Sequence, residues 1–335
     1  MSLPQRMLGP FTVPAIGFGC MNLSHAYGGF PDEASAIALL NRALDLGCTF
    51  LDTAALYGDG GNERLVAKAV MHRRSEFILA SKCVLDYRDG KRVLDGRPET
   101  IRRTLDDALI RLKTDVIDLY YLHRLDRNVP IEDSVGALAK AVQQGKIRTI
   151  GLSEMSAATI RRAHAVHPVT ALQSEYSPCV RNIEIAAVGA CRELGIGIVP
   201  FSPVARGMLA GAIRNDGYAE GDIRRQFPRF IEPQLSHNLK AVAKFNTLAA
   251  EIGCTPAQLS LAWILSKGED MIPIPGTRDI AHLEENLGAV NVRLEPAMIA
   301  RIEAIFTPEA IRGGRYTASM QAQIDTEMFP YEVAE

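Results

Sequence analysis

The chain has almost no net charge: 37 Lys and Arg stand against 39 Asp and Glu, giving a formal charge of −2 and a sequence pI near 6.4. No basic surface is on offer to a phosphate backbone or an anionic lipid, so neither nucleic acid nor a membrane is an expected partner. Nor does any run approach the roughly 18 consecutive apolar residues of a membrane span. The opening MSLPQRMLGP lacks the apolar stretch of a secretion signal, and a cytoplasmic location is expected. Cys20, Cys48, Cys83, Cys179, Cys191 and Cys254 include no C-x-x-C pair and have no histidine at ligand spacing. That excludes the usual zinc patterns and points to scattered free thiols. Linkers rich in Pro or Ser and low-complexity runs are missing too, so one domain over 1–335 is expected. Also absent is a complete G-x-G-x-x-G: GFGCMN, from Gly17 to Asn22, begins like one and then fails, which argues against a Rossmann fold.

What is present is an alternation of short, mostly β-branched apolar runs with longer segments of helical period, the pattern of βα units on a parallel sheet. Eight candidate strands cover residues 15–20, 48–53, 77–82, 116–123, 148–153, 170–175, 195–202 and 271–276. Helices with clear start and stop signals fill the gaps. In PETIRRTLDDALIRL, Pro98 suits the first turn and Ile101, Leu105, Leu109 and Leu112 recur on one face. Segments 32–46, 132–144 and 183–194 run up to Gly47, Gly145 and Gly195, each suited to a left-handed C-terminal position. The count predicts an α/β protein of the (β/α)₈ barrel type, with a small N-terminal hairpin over Met7 to Val13 across the bottom. Two stretches exceed what a barrel needs: the loop from Pro203 to Leu235, and the tail after Phe306 with Arg312, Gly313, Gly314, Arg315 and Tyr316. Loops of such length are usually functional or disordered, and these are expected to lie over the C-terminal face.

Active residues of such barrels gather where strands end at that face. Asp52 closes the second strand, Tyr57 follows in its loop, Lys82 closes the third strand and His123 the fourth. Taken singly, each has a plain structural explanation as a cap, a loop residue or a rim charge. Together on neighbouring strand ends they make chemical sense. An ammonium at Lys82 would lower the Tyr57 pKa from its usual value near 10 and make it a usable proton donor and acceptor, with Asp52 holding Lys82 charged. A neutral His123 would donate a hydrogen bond to a carbonyl oxygen.

The segments FLDTAALYG, LASK and DLYYLHRLD, in that order, resemble the aldo-keto reductases, and the resemblance extends over nearly the whole chain. It implies that Asp52, Tyr57, Lys82 and His123 form a catalytic tetrad with Tyr57 the general acid in carbonyl reduction. It further implies that Ser153 and Gln173 hold the nicotinamide carboxamide, that Phe201 stacks on the nicotinamide ring, and that Gly19, Met21, Asp52, Ser202, Pro203, Gly207 and Leu209 neighbour the cofactor. Glu154 stands where asparagine is common, and a carboxylate cannot donate to an amide oxygen. IPIPGTRDIAHLEEN, from Ile272 to Asn286, places Gly276, Thr277 and Arg278 between the last strand and a helix, where backbone N–H groups and a guanidinium suit phosphate. This stretch resembles the family's motif for the adenosine 2′-phosphate, continuing through His282, Glu285 and Asn286. NADPH is therefore the expected cofactor, with NADH also open because Gly276 and His282 replace a common lysine and arginine.

The expected substrate is a small carbonyl compound: an aromatic aldehyde first, as in a bacterial branch that includes pyridoxal reductases and broad carbonyl reductases, then pyridoxal or a bulky ketone. Met21, Tyr27, Phe30, Tyr87, Phe227 and Phe230 lie on segments that border such a pocket. Two other readings stay open: a Schiff-base lyase with Lys82 as nucleophile, and a non-catalytic nicotinamide-binding subunit resembling those of potassium channels.

Overall fold

The computed structural model describes residues 3–88, 90–211, 213 and 217–333. An antiparallel hairpin of β1 (Gln5–Leu8) and β2 (Phe11–Pro14) precedes a seven-stranded parallel sheet. That sheet comprises β3 (Phe18–Gly19), β4 (Phe50–Asp52), β5 (Ile78–Cys83), β8 (Ile117–Leu122), β9 (Ile147–Ser153), β10 (Val169–Glu175) and β11 (Gly197–Phe201), neighbours in chain order. A second hairpin, β6 (Leu85–Arg88) and β7 (Lys91–Leu94), is inserted directly after β5. Helices α1 (Glu33–Asp45), α2 (Gly61–Val70), α3 (Pro98–Leu112), α4 (Ile131–Gln143), α5 (Ala157–Val166) and α6 (Ala187–Leu194) fill the connections as far as β11. After β11 come α7 (Gln234–Ile252), α8 (Pro256–Leu265), α9 (Ile280–Gly288), α10 (Pro296–Ile305) and the short α11 (Ala318–Gln321) and α12 (Pro330–Val333). No single helix among the described residues is long and apolar enough to cross a membrane.

The eighth predicted strand closes the barrel without forming a regular ladder, and its prolines explain why. Ile272 and Ile274 donate N–H bonds to Ile198 and Pro200 at 2.8 and 3.0 Å, while Pro273 and Pro275 accept from Gly17 and Gly19 at 2.9 and 3.2 Å. Proline has no N–H, so the side facing β3 is built from carbonyl acceptors alone. The predicted first strand, 15–20, is correspondingly reduced to Phe18–Gly19.

Alternation along each strand sorts the core. Phe50, Ala80, Leu119, Tyr121, Ala171, Val199, Ile272 and Ile274 fill the barrel interior, and Leu8, Phe11 and Val13 of the first hairpin join that cluster. Leu51, Leu79, Tyr120, Ile150, Leu152, Leu172 and Ile198 belong to the larger core shared with the helices. A side chain at Gly151 would collide with the Tyr121 ring, at 2.3 Å, so the missing Cβ makes room for this tyrosine inside the barrel. Continuing the inward parity by one step from Phe50, Ala80, Tyr121, Gly151, Ala171 and Val199 reaches Asp52, Lys82, His123, Ser153, Gln173 and Phe201. Asp52, Lys82, Ser153 and Phe201 occupy the last inward positions on their strands, His123 lies one residue beyond β8, and Gln173 is followed in β10 by Glu175 at the same parity.

The outer elements follow local signals. Asp32 caps α1 by accepting from the Ser35 amide at 2.8 Å, Pro98 stands at the start of α3, and Ile101, Leu105 and Leu112 of the expected stripe are buried, with Leu109 half-buried. Gly47, Gly145 and Gly195 all have positive φ. The N-terminal hairpin spans Gln5–Pro14, longer than the 7–13 read from sequence. Segment 183–194 starts as a single 3-10 turn and becomes helical only at Ala187.

Candidate active site

At the C-terminal mouth of the barrel lies a cavity of about 600 Å³. Asp52, Tyr57 and His123 line it, and Lys82 lies fully buried behind them. The Lys82 ammonium donates to the Asp52 carboxylate, to the Thr53 carbonyl at 2.8 Å and to the Tyr57 hydroxyl at 3.3 Å. From across the barrel, Gln173 donates to the second Asp52 oxygen at 2.8 Å. The His123 and Tyr57 rings stand nearly perpendicular with centroids 5.9 Å apart, and His25 stacks on Tyr57 with centroids 5.5 Å apart.

The electrostatics follow from burial. Desolvation presses Lys82 toward the neutral amine, yet Asp52 and Tyr57 outweigh it and hold the ammonium above the usual lysine range. For Tyr57 the direction opposes the sequence reading: burial raises its pKa, and the opposing pull of Lys82 offsets only part of that. The phenol thus stays protonated at neutral pH. His123 is held neutral, its pKa pushed well below 6.5 by burial and then by the positive charges of Arg124, Lys82 and Arg92. Its Nδ1 is buried with no hydrogen-bond partner among the described residues. The arrangement can supply a proton at Tyr57 and a neutral hydrogen-bond donor at His123. It is poorly suited to Schiff-base chemistry, because the three Lys82 hydrogens already have acceptors and a nucleophilic amine needs a free lone pair.

The rest of the cavity is an elongated wall of strand ends and loops. Gly19, Met21, Ser153, Gln173, Phe201, Ser202, Pro203 and Gly207 border it on one stretch, and Gly276, Thr277, Arg278, His282, Glu285 and Asn286 on another. Two glycines let the backbones at the ends of β3 and of the eighth predicted strand approach closely: a Cβ on Gly276 would sit 2.7 Å from the Gly19 carbonyl, and one on Gly19 2.8 Å from that of Ile274. After β11 the backbone is held in left-handed conformations at Ser202, Ala205 and Arg206, with φ of 48°, 49° and 57°, each costing about 1–2 kcal/mol in a residue with a side chain. Ser260 bonding the Pro203 carbonyl at 2.6 Å and Glu175 bonding Arg206 at 3.0 Å fix this turn. Arg278 is exposed and donates to the Gly29 carbonyl at 2.6 Å, tying the loop before α9 to the loop after β3. Such a groove, lined by strand ends and cationic at Arg278, fits an extended dinucleotide.

The aldo/keto reductase family model matches residues 15–306. The chain belongs to this family. It is 45% identical to the aldo-keto reductase yakc (NADP(+)) of Schizosaccharomyces pombe, over 98% of this chain and 100% of the relative. It is 44% identical to a probable aldo-keto reductase 1 of Glycine max, over 91% and 89%. Its fold is similar to that of a glycerol dehydrogenase from Gluconobacter oxydans, with a TM-score of 0.83, 24% identity and coverage of 98% and 99%.

Several residues of this aldo/keto reductase sit elsewhere than expected. Leu209 is fully buried in the core and off the cavity wall. Glu154 also lies off that wall: it accepts from the Glu175 amide and the Thr326 hydroxyl, both at 2.8 Å, so it braces the tail rather than facing a carboxamide. Phe30 is 48% exposed, and Phe230 packs in the core behind the wall, whereas Met21, Tyr27, Tyr87 and Phe227 do border the cavity. Both over-long stretches reach the site, through Val204, Ile223, Arg224 and Phe227 and through Tyr316 and Met320. The sequence reading missed Asn22, His25, Arg92 and Arg124 as wall residues. For Arg124 the signal was its place beside His123 at a strand end, whereas Arg92 lies on a hairpin that reads as loop.

Proposed function

We propose that the protein is an NADPH-dependent reductase of aldehydes and ketones with Tyr57 as general acid. The observation that carries this reading is the buried Lys82 ammonium, bonded to Asp52 and 3.3 Å from the Tyr57 hydroxyl at the edge of a large cavity. The NADP(+) in the name of the Schizosaccharomyces pombe relative supports the choice of dinucleotide. So do Thr277 and Arg278 at the approach to α9, where an anion is favoured.

Ser153 and Gln173 would hold the carboxamide and Phe201 the ring face, with Gly19, Met21, Ser202, Pro203 and Gly207 along the phosphates. Gly276, Thr277, Arg278, His282, Glu285 and Asn286 would take the adenosine end. When bound, the reduced nicotinamide supplies the hydride that the carbonyl carbon accepts. Tyr57 gives its proton to the carbonyl oxygen, and Lys82 stabilises the phenolate left behind. Asp52 keeps Lys82 charged, while neutral His123 donates a hydrogen bond to the same oxygen and orients it. Burial of the tetrad strengthens each of these interactions relative to water. Leu56, Tyr27, Tyr87 and Phe227 on the wall favour an aromatic aldehyde over a small aliphatic one.

The test is NADPH oxidation, followed at the reduced nicotinamide absorbance band, with benzaldehydes, pyridoxal and bulky ketones. Tyr57→Phe should lower kcat about 10²–10⁴-fold, the usual worth of a positioned acid, and keep NADPH binding. Wild-type turnover in that variant would remove Tyr57 from the chemistry. Tight NADPH binding without turnover on any carbonyl would turn the reading toward a nicotinamide-binding partner subunit.

A further inference from the structure

Among the described residues, five arginines reach the cavity wall: Arg92, Arg124, Arg206, Arg224 and Arg278. Arg206 and Arg224 are neutralised by Glu175 at 3.0 Å and Asp222 at 2.6 Å, and Arg278 lies at the dinucleotide end. The other two differ. Arg124 gives Nη1 to the His123 carbonyl at 2.6 Å and the Ser153 hydroxyl at 3.1 Å, and has no carboxylate partner among the described residues. Arg92 forms no hydrogen bond or ion pair with any described residue, and its Nε is buried without a partner.

Both stand on the catalytic side of the cavity. Arg92 is the cross-strand partner of Tyr87 in the β6–β7 hairpin, and an antiparallel pair shares one face of its ribbon, so both side chains meet the cavity together. His25, stacked on Tyr57, has its pKa lowered to about 4, by burial first and then by the Arg92 charge. Both side chains line the same cavity, and burial and then the Arg124 charge lower the pKa of Arg92 itself. An unpaired guanidinium there is costly unless an anion completes it, and the planar fork of arginine matches the two oxygens of a carboxylate.

Building on the reductase reading, we propose that the substrate carries a carboxylate, held by Arg92 and Arg124 while its carbonyl group lies at Tyr57. The β6–β7 hairpin is then the specificity element, presenting Arg92 for the anion and Tyr87 for the substrate body.

The experiment compares 4-carboxybenzaldehyde with its methyl ester, methyl 4-formylbenzoate, at equal NADPH and low salt. The acid should show a kcat/KM at least about tenfold above the ester, in keeping with a charge-assisted hydrogen bond in a site shielded from water. Arg92→Gln should shrink that ratio about tenfold, mainly through the KM of the acid, and Arg92→Lys should restore part of it. Calorimetry on the NADP⁺-loaded protein, comparing benzoate with methyl benzoate, reads the same subsite without turnover. Benzoate binding preferentially, with the preference lost in Arg92→Gln, upholds the subsite even if neither aldehyde is reduced, and in that case the reductase reading alone falls. Acid and ester reduced equally well, or an acid preference that Arg92→Gln leaves intact, overturns the carboxylate subsite while the reductase stands.

Discussion

His123 leaves a signature in stability as well as in rate. Its pKa in the folded protein lies well below 6.5, whereas in the unfolded chain it returns to about 6.5. As pH falls from about 6.5, the unfolded chain takes up a proton that the folded protein refuses, so stability drops by up to about 1.4 kcal/mol per pH unit. His25, lowered to about 4, adds to the slope between about pH 6.5 and 4. Urea titrations at pH 7, 6 and 5 should show this decline, and His123→Gln should flatten it by roughly the share of one proton. If the slope were the same in the variant, His123 would be titrating as a solvated imidazole. The rate should behave consistently: Tyr57 is raised by burial and stays protonated through neutrality, so carbonyl reduction is expected to show no inflection near pH 6.5. A pH profile of kcat with an inflection there would place a charged imidazole in the working site.

The loop between β4 and α2, which carries Tyr57, is held by one buried amide. Asn62 accepts from the Thr53 hydroxyl at 2.7 Å and donates to the Cys20 carbonyl and the Ser24 hydroxyl at 2.9 and 2.7 Å. Asn62→Ala leaves those partners unsatisfied and should cost about 1–3 kcal/mol in denaturant unfolding. It should lower kcat by loosening the loop that carries Tyr57 and, because Cys20 lies between Gly19 and Met21, raise the NADPH KM as well; an unchanged kcat would show that the loop holds Tyr57 without it. At the other end, α9 is capped by Asp279, whose carboxylate accepts from the His282 amide at 3.1 Å, and the exposed Arg278 stands just before it, in the place proposed above for the adenosine end. Arg278→Ala should raise the NADPH KM several-fold more than the NADH KM, and equal changes would remove it from that role. Part of this was legible in the sequence: the strand ends themselves point to Asp52 and Lys82, whereas Ser153, Gln173 and Phe201 follow from the family resemblance, and the structure puts all five at inward-facing positions of their strands. The Tyr57 pKa was not, since proximity to Lys82 can be read from strand ends but the depth of burial cannot. Arg92 was hidden for another reason: its hairpin has too little apolar alternation to read as strands.

The tail after α10 binds the molecule together through a buried cluster of two carboxylates and two guanidiniums. Burial pushes the Glu175 carboxyl up, but Arg206 and Arg315 prevail and hold it below the usual range. Arg315 lies 3.5 Å from Glu154 and 3.8 Å from Glu175, with all three side chains nearly fully buried. The Glu154 carbonyl accepts from the amides of Asp325 and Thr326, while the Asp325 and Glu327 carboxylates accept from the Ser156 and Ala157 amides at the start of α5. One strand end thus anchors a tail whose Tyr316 and Met320 complete the cavity wall, so fold closure and site closure share the same charges. Removing one member of such a buried pair leaves the other uncompensated, and Glu154→Ala should cost about 3–5 kcal/mol of stability. Because the tail borders the substrate side, the variant should also raise the aldehyde KM while barely altering NADPH affinity. Glu154→Gln keeps an acceptor for the Thr326 hydroxyl but loses the charge facing Arg315, so its stability should fall between wild type and Glu154→Ala. Denaturant titration beside steady-state kinetics checks both effects, and a destabilised Glu154→Ala with unchanged aldehyde KM would show that the tail supports the barrel without shaping its pocket.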